Sequence, residues 1–109
     1  MKTLPKNLIN YKLSSQVIDS GTSIGANYRE ANGAESPKDF QHKIGISFKE
    51  SRETSYWLYI LEAANPEFSI EIKFLLKESD EFKRIFGAIY TTCKNKAKKI
   101  HKSQFTNQK

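Results

Sequence analysis

From Pro37 to Ala64 the chain runs for 28 residues without an internal proline or a turn dipeptide. As one helix this stretch would be about 42 Å long, and any fold must be built along it. Its start is well specified. Ser36 is placed to cap the helix, Pro37 falls at the first helical position where a missing amide costs nothing, and Asp39 at the third favours the helix dipole. Phe40, Ile44, Phe48, Ser51, Ser55, Leu58 and Glu62 then step by three and four along one side. The second half is apolar nearly all round, through Tyr56, Trp57, Leu58, Tyr59, Ile60 and Leu61, so a single packing partner would leave part of it bare.

The segments on either side are also helical in pattern. Before the long run, Tyr11, Leu13, Val17, Ile18, Ile24 and Tyr28 recur at near-helical spacing, with Asn10 as the expected cap and Asn32-Gly33 as the stop. Within this helix the stretch SGTSIGANYREA, Ser20 to Ala31, is built of small residues. Glycine costs roughly 1 kcal/mol in a helix interior, so Gly21 and Gly25 imply close approach of another backbone. After Asn65-Pro66, Ile72, Leu75, Leu76, Phe82, Ile85, Phe86, Ile89 and Cys93 form a stripe close to a heptad seam. The expected fold is all-α, an antiparallel up-and-down bundle of three helices at about 10–31, 36–64 and 67–98. Residues 1–98 make one bundle domain, and 99–109 form a basic tail that frays past Ile100.

Charge is concentrated at one end. The formal net charge is +6, and Lys94, Lys96, Lys98, Lys99, Lys102 and Lys109 all lie in the last sixteen residues, which contain no acid. The first 93 residues hold twelve basic and twelve acidic residues and are neutral. A run of Lys94, Lys96, Lys98, Lys99 and Lys102 can release counterions from a phosphate backbone, giving salt-sensitive, sequence-independent affinity for RNA or DNA. The alternative is a solvated helix end whose lysines favour the dipole. Phe105 is the one aromatic among them.

The residue pattern also excludes several chemistries. Ser14, Ser15, Ser20 and Ser23 lack a nucleophile-elbow context, and GTSIG has no G-K-[ST] of a phosphate loop. His42 has no second His or Cys at ligand spacing, and Cys93 alone supports neither a disulfide nor a zinc knuckle. No cofactor, metal, small-molecule substrate or enzymatic activity is expected. No run of about 18 apolar residues and no signal peptide is present, so the expected location is the cytoplasm. Glu50 and Glu53, three apart, share a face, and one of them is expected to neutralise Arg29 on the first helix. The cluster Tyr56, Trp57, Tyr59 and Ile60 reads either as core or as an oligomer interface.

Three stretches carry a family resemblance: SGTSIGAN at Ser20 to Asn27, K-D-F-x-H-K at Lys38 to Lys43, and K-E-S-x-E-x-x-Y-W-L at Lys49 to Leu58. With them the chain resembles the 23S rRNA-intervening-sequence proteins over about residues 5–95. Members are short bacterial proteins, some encoded in insertions within large-subunit rRNA genes. The resemblance implies four-helix protomers assembled into a homopentamer. It also extends to the accessory protein of diversity-generating retroelements, a basic pentameric barrel that binds a reverse transcriptase and nucleic acid. Two departures stand out. Only Met1 to Leu4 precede the position where the family's first helix would end, so the chain resembles the last three helices of four. Either a helix is encoded upstream, or another subunit fills its groove. Asp19 also stands where related sequences carry a basic residue. The expected function is therefore a non-enzymatic oligomer binding RNA or DNA through its C-terminal ends. The alternative is a protein-interaction adaptor for a ribosomal or reverse-transcriptase partner.

Overall fold

The computed structural model describes residues 3–107, with side chains through Ile100. Three helices, α1 (Leu8–Asn32), α2 (Pro37–Ala64) and α3 (Ser69–Asn107), pack as a bundle, and a single 3-10 turn at Pro66–Phe68 joins the last two. No strand occurs among the described residues. Ser36 caps α2 as its sequence implies, its side chain accepting from the Asp39 amide at 3.0 Å. At the other end of the loop, the Gly33 amide closes α1 by donating to the Glu30 carbonyl at 3.1 Å.

The first helix starts earlier than its pattern implies. Asn7, not Asn10, is the cap, and its Oδ1 accepts from the Asn10 amide at 2.8 Å. Asn10 is instead buried one turn in. Its side chain exchanges two hydrogen bonds with that of Asn65, at 2.9 and 2.7 Å, and also donates to the Pro5 carbonyl. A cap residue must stand at the helix edge, so the partner across the bundle decides which asparagine takes which role. The third helix continues to Asn107, beyond the end expected near residue 98, because nothing in Lys94–Asn107 breaks a helix.

Packing is organised by α2, which both other helices contact, while among the described residues the α1 and α3 backbones do not approach one another. The core has two apolar parts. Leu13, Leu58, Leu61, Ile72 and Leu76 form one, with Trp57 and Ile60 packed against it. Ile24, Ala31, Ile44 and Phe86 form the other, supported by Phe40, Phe48, Ile89 and Tyr90. Between them lies a belt of buried hydroxyls. Thr54 donates to Ser20 Oγ at 2.8 Å, Ser55 donates to Asp80 Oδ1 at 2.8 Å, and Ser79 Oγ lies 2.7 Å from Ser55 Oγ. Nearer the second cluster, Ser47 donates to the Ile24 carbonyl at 3.0 Å. These small side chains let the helices approach closely, and every buried hydroxyl has an acceptor, so the belt carries no unpaired donor.

Within the chain's described residues, no other backbone approaches Gly21 or Gly25. A Cβ added at either would meet nothing within 4 Å. Ser20 and Ile24 face α2, and the glycines sit one step further round. They belong to a second heptad-spaced seam, Tyr11, Ser14, Ile18, Gly21, Gly25 and Tyr28, that α2 does not cover. Tyr11 and Ile18 on it are exposed, as are Leu75, Phe82 and Ile85 on α3, and the Tyr28 and Phe86 rings, 5.6 Å apart, meet between the two helices. Gly21→Ala and Gly25→Ala should therefore each stabilise the chain by up to about 1 kcal/mol through helix propensity alone. Thermal melting of the two variants checks this, and a lower melting temperature would place another backbone against them.

Candidate nucleic-acid interface

The acidic residues end at Glu81, and everything beyond it on α3 is neutral or basic. Lys94, Lys96, Lys98 and Lys99 are all exposed. Helical steps of about 100° distribute them around α3 rather than along one face. The side chain of Lys102 lies outside the described residues.

One of these lysines joins a second basic group. Lys96 lines a groove between the first half of α2 and the last half of α3, together with Lys38, Lys49 and Arg52. The described lining contains no acid. Its floor includes the half-buried rings of Phe48 and Tyr90, 6.2 Å apart between centroids. Each ring rests on a glycine of the opposite helix. A Cβ on Gly45 would come within 3.0 Å of Tyr90, and one on Gly87 within 3.1 Å of Phe48. Each ring also carries a cation from its own helix, Arg52 at 4.6 Å over Phe48 and Lys94 at 5.6 Å over Tyr90. The result is a ladder of cation, ring, ring and cation across the two helices.

Periodicity places Phe48 on the α2 stripe but does not point to Tyr90 or Arg52, yet a signal for all three is present. The unit glycine, two residues, aromatic, three residues, cation occurs twice, as Gly45-Phe48-Arg52 and Gly87-Tyr90-Lys94. Within the chain, Gly45 and Gly87 are the glycines that receive a side chain from the neighbouring helix.

The remaining expected sites resolve differently. Arg29 is exposed and forms no ion pair among the described residues. The helix register explains this. Ser20 meets Thr54 and Ile24 meets Ser47, so Glu50 and Glu53 stand level with the middle of α1, more than a turn from Arg29. The ion pair at Arg29's level joins its neighbour Glu30 to Lys43, at 2.7 Å. The Lys43 ammonium holds the Glu30 carboxyl below its ordinary value, and Glu30 holds Lys43 above its own. Of the aromatic cluster, Trp57 and Ile60 pack on the core, while Tyr56 and Tyr59 are exposed. Cys93, on the apolar stripe of the third helix, is half-buried. Among the described residues no three His, Cys, Asp or Glu side chains converge as metal ligands would, and no helix is long and apolar enough to cross a membrane.

Glu50 has a different neighbour from the one expected. Burial raises its carboxyl above the ordinary value, and the facing Glu53 carboxylate adds to this, while Lys49 opposes it. A carboxyl raised on folding costs stability once pH climbs past its ordinary value, and that cost is absent when it is protonated. Glu50→Gln should therefore raise the melting temperature at pH 7, by no more than about 4 °C, and the gain should vanish at acid pH. Melting both proteins across this pH range tests it.

Comparison with known proteins agrees with this architecture. A crystal structure of a protein of unknown function from the S23 ribosomal protein family of Bacteroides thetaiotaomicron superposes with a TM-score of 0.68 at 38% identity, covering 72% of each chain. No curated protein matches the sequence. The model of the 23S rRNA-intervening sequence proteins matches residues 1–88, which span both core clusters and the whole of α1 and α2. With most of the chain matched and its helices packed as a bundle, this protein belongs to the 23S rRNA-intervening sequence protein family.

Proposed function

We propose that this chain is a non-enzymatic, cytoplasmic bundle protein that assembles into oligomers and binds RNA or DNA through the basic C-terminal part of α3. One observation carries the reading: Lys94, Lys96, Lys98 and Lys99 are exposed on a helix with no acid after Glu81. Such a segment attracts phosphate without reading bases. In the same reading the helices are an antiparallel up-and-down set, equivalent to the last three of a four-helix bundle. The order of cross-helix contacts supports this, with Asn10 against Asn65, Ser20 against Thr54 and Ile24 against Ser47.

The assembly is a homopentamer, in line with the family resemblance. Its support is the uncovered apolar surface of α1 and α3, where Tyr11, Ile18, Phe82 and Ile85 are exposed. Light scattering tests it, and a clean monomer would remove the oligomer from the proposal. That same apolar surface favours a second reading, a protein-interaction adaptor with no nucleic-acid contact.

Binding to mixed RNA at several salt concentrations separates the two. The variant with Lys94, Lys96, Lys98, Lys99 and Lys102 changed to glutamine should lose affinity, and its plot of log affinity against log salt should flatten by up to about 4 units. Affinity and slope equal to wild type would end the C-terminal reading, and no RNA binding by wild type would leave the adaptor.

A further inference from the structure

The ladder between α2 and α3 goes further than a basic helix end, because a helix end that only attracts phosphate needs no aromatic floor. Phe48 and Tyr90 are half-buried, so each keeps part of its ring at the surface of the groove. Their positions are held from beneath by Gly45 and Gly87, where no larger residue would fit without displacing a ring. Arg52, over Phe48, lines the groove with Lys38, Lys49 and Lys96, with no acid in its described lining, and Lys94 sits over Tyr90 outside that lining. The charge of the lining fits a polyanion, and the rings define which kind. A duplex turns its phosphates outward and keeps its bases stacked inside, so it would meet the cations and leave the rings unused. A single strand presents both phosphates and free base faces, and aromatic rings take such faces without regard to sequence.

We propose that the paired units Gly45-Phe48-Arg52 and Gly87-Tyr90-Lys94 form a stacking platform that selects single-stranded over double-stranded nucleic acid. The proposal rests on the nucleic-acid reading above and adds the strandedness of the ligand. The phosphates lie along Lys49 and Lys96, one base stacks on Tyr90, and the next lies on the face of the Arg52 guanidinium that covers Phe48. Arg52 contributes twice, since its planar guanidinium carries charge and also offers a face to a base.

The test uses the full chain and a fluorescently labelled twelve-nucleotide oligouridine, compared with a labelled twelve-base-pair RNA duplex, by anisotropy at fixed salt. Tyr90→Leu should weaken single-strand binding about tenfold and leave duplex binding unchanged, because one stacking ring is lost. Tyr90→Phe should bind like wild type. Arg52→Gln, at an exposed position that does not threaten the fold, should weaken the single strand more than the duplex. Circular dichroism confirms that each variant is folded, and Arg52→Gln decides the matter if Tyr90→Leu is not. A strand carrying 2-aminopurine should be quenched on binding to wild type and less so on binding to either platform variant. Equal loss for both strands, or wild-type single-strand affinity in Tyr90→Leu and Arg52→Gln, would overturn the platform while leaving C-terminal binding intact. If wild type bound neither ligand, the nucleic-acid reading itself would fall and the platform with it.

Discussion

Asn65→Ala is expected to destabilise this protein by about 2–4 kcal/mol, lowering its melting temperature by roughly 10–20 °C. Asn65 is 2% exposed and Asn10 is 5% exposed, so neither amide can turn to water when its partner is removed. The pair exchanges two hydrogen bonds, and Asn65 also donates to the Leu61 carbonyl at 2.9 Å. Truncating Asn65 therefore leaves the buried Asn10 Oδ1 without a donor, while its Nδ2 keeps only the Pro5 carbonyl, and the cost of an unpaired buried polar group exceeds the net value of the bonds lost. The contact joins the start of α1 to the end of α2, and through the Pro5 carbonyl it also ties down the segment before α1. Asn10→Ala should cost a similar amount. The double variant should cost less than the two singles added, by about 1 kcal/mol or more, because the second truncation removes a group already left unpaired. Chemical denaturation of the four proteins measures this coupling. A single variant within about 0.5 kcal/mol of wild type would mean that the amide pair does not form.

Ile44→Ala is the second large effect, expected at about 3–4 kcal/mol. Ile44 is fully buried and lies in the cluster where Ile24 and Ala31 of α1 meet Phe86 of α3. Contact from both sides leaves little room for the site to collapse, so most of the cavity cost persists. Ile44→Val should cost only about 1 kcal/mol. Ile18→Ala is the matched control, a similar deletion at a residue that is 62% exposed, and should change stability by less than about 0.5 kcal/mol in the isolated chain. Phe48 and Tyr90 pack against the cluster that holds Ile44, so the core beneath also supports the candidate platform. A loss of less than about 1 kcal/mol in Ile44→Ala would contradict the packing described for this cluster.

Much of the fold is legible in the chain itself. Pro37, Asn32-Gly33 and Asn65-Pro66 divide the helices within a few residues of their observed bounds, and the Ser36 cap is local chemistry that needs no partner. Three stretches between Ser20 and Leu58 also carry the family resemblance. The lysines beyond Glu81 are visible as a run without acids, and they lie exposed on α3. These features share a physical basis: they depend on residues within about one helical turn of each other, where dihedral preference, capping and side-chain spacing act directly.

Tertiary structure decided everything that depends on which residues of different helices stand level. On α1, Tyr11 and Ile18 lie on one stripe of three- and four-residue steps and Leu13 and Ile24 on another, but α2 covers only the second. Register placed Lys43, rather than Glu50 or Glu53, beside the end of α1, and so paired it with Glu30 instead of leaving a partner for Arg29. It made Asn10 a buried partner of Asn65 and gave the cap to Asn7. It also brought Gly45 under Tyr90 and Gly87 under Phe48, although each half of that ladder is written in its own helix. Periodicity determines the faces of a helix. Which face is buried, and at what level it meets its neighbour, is set by the volumes of side chains tens of residues apart.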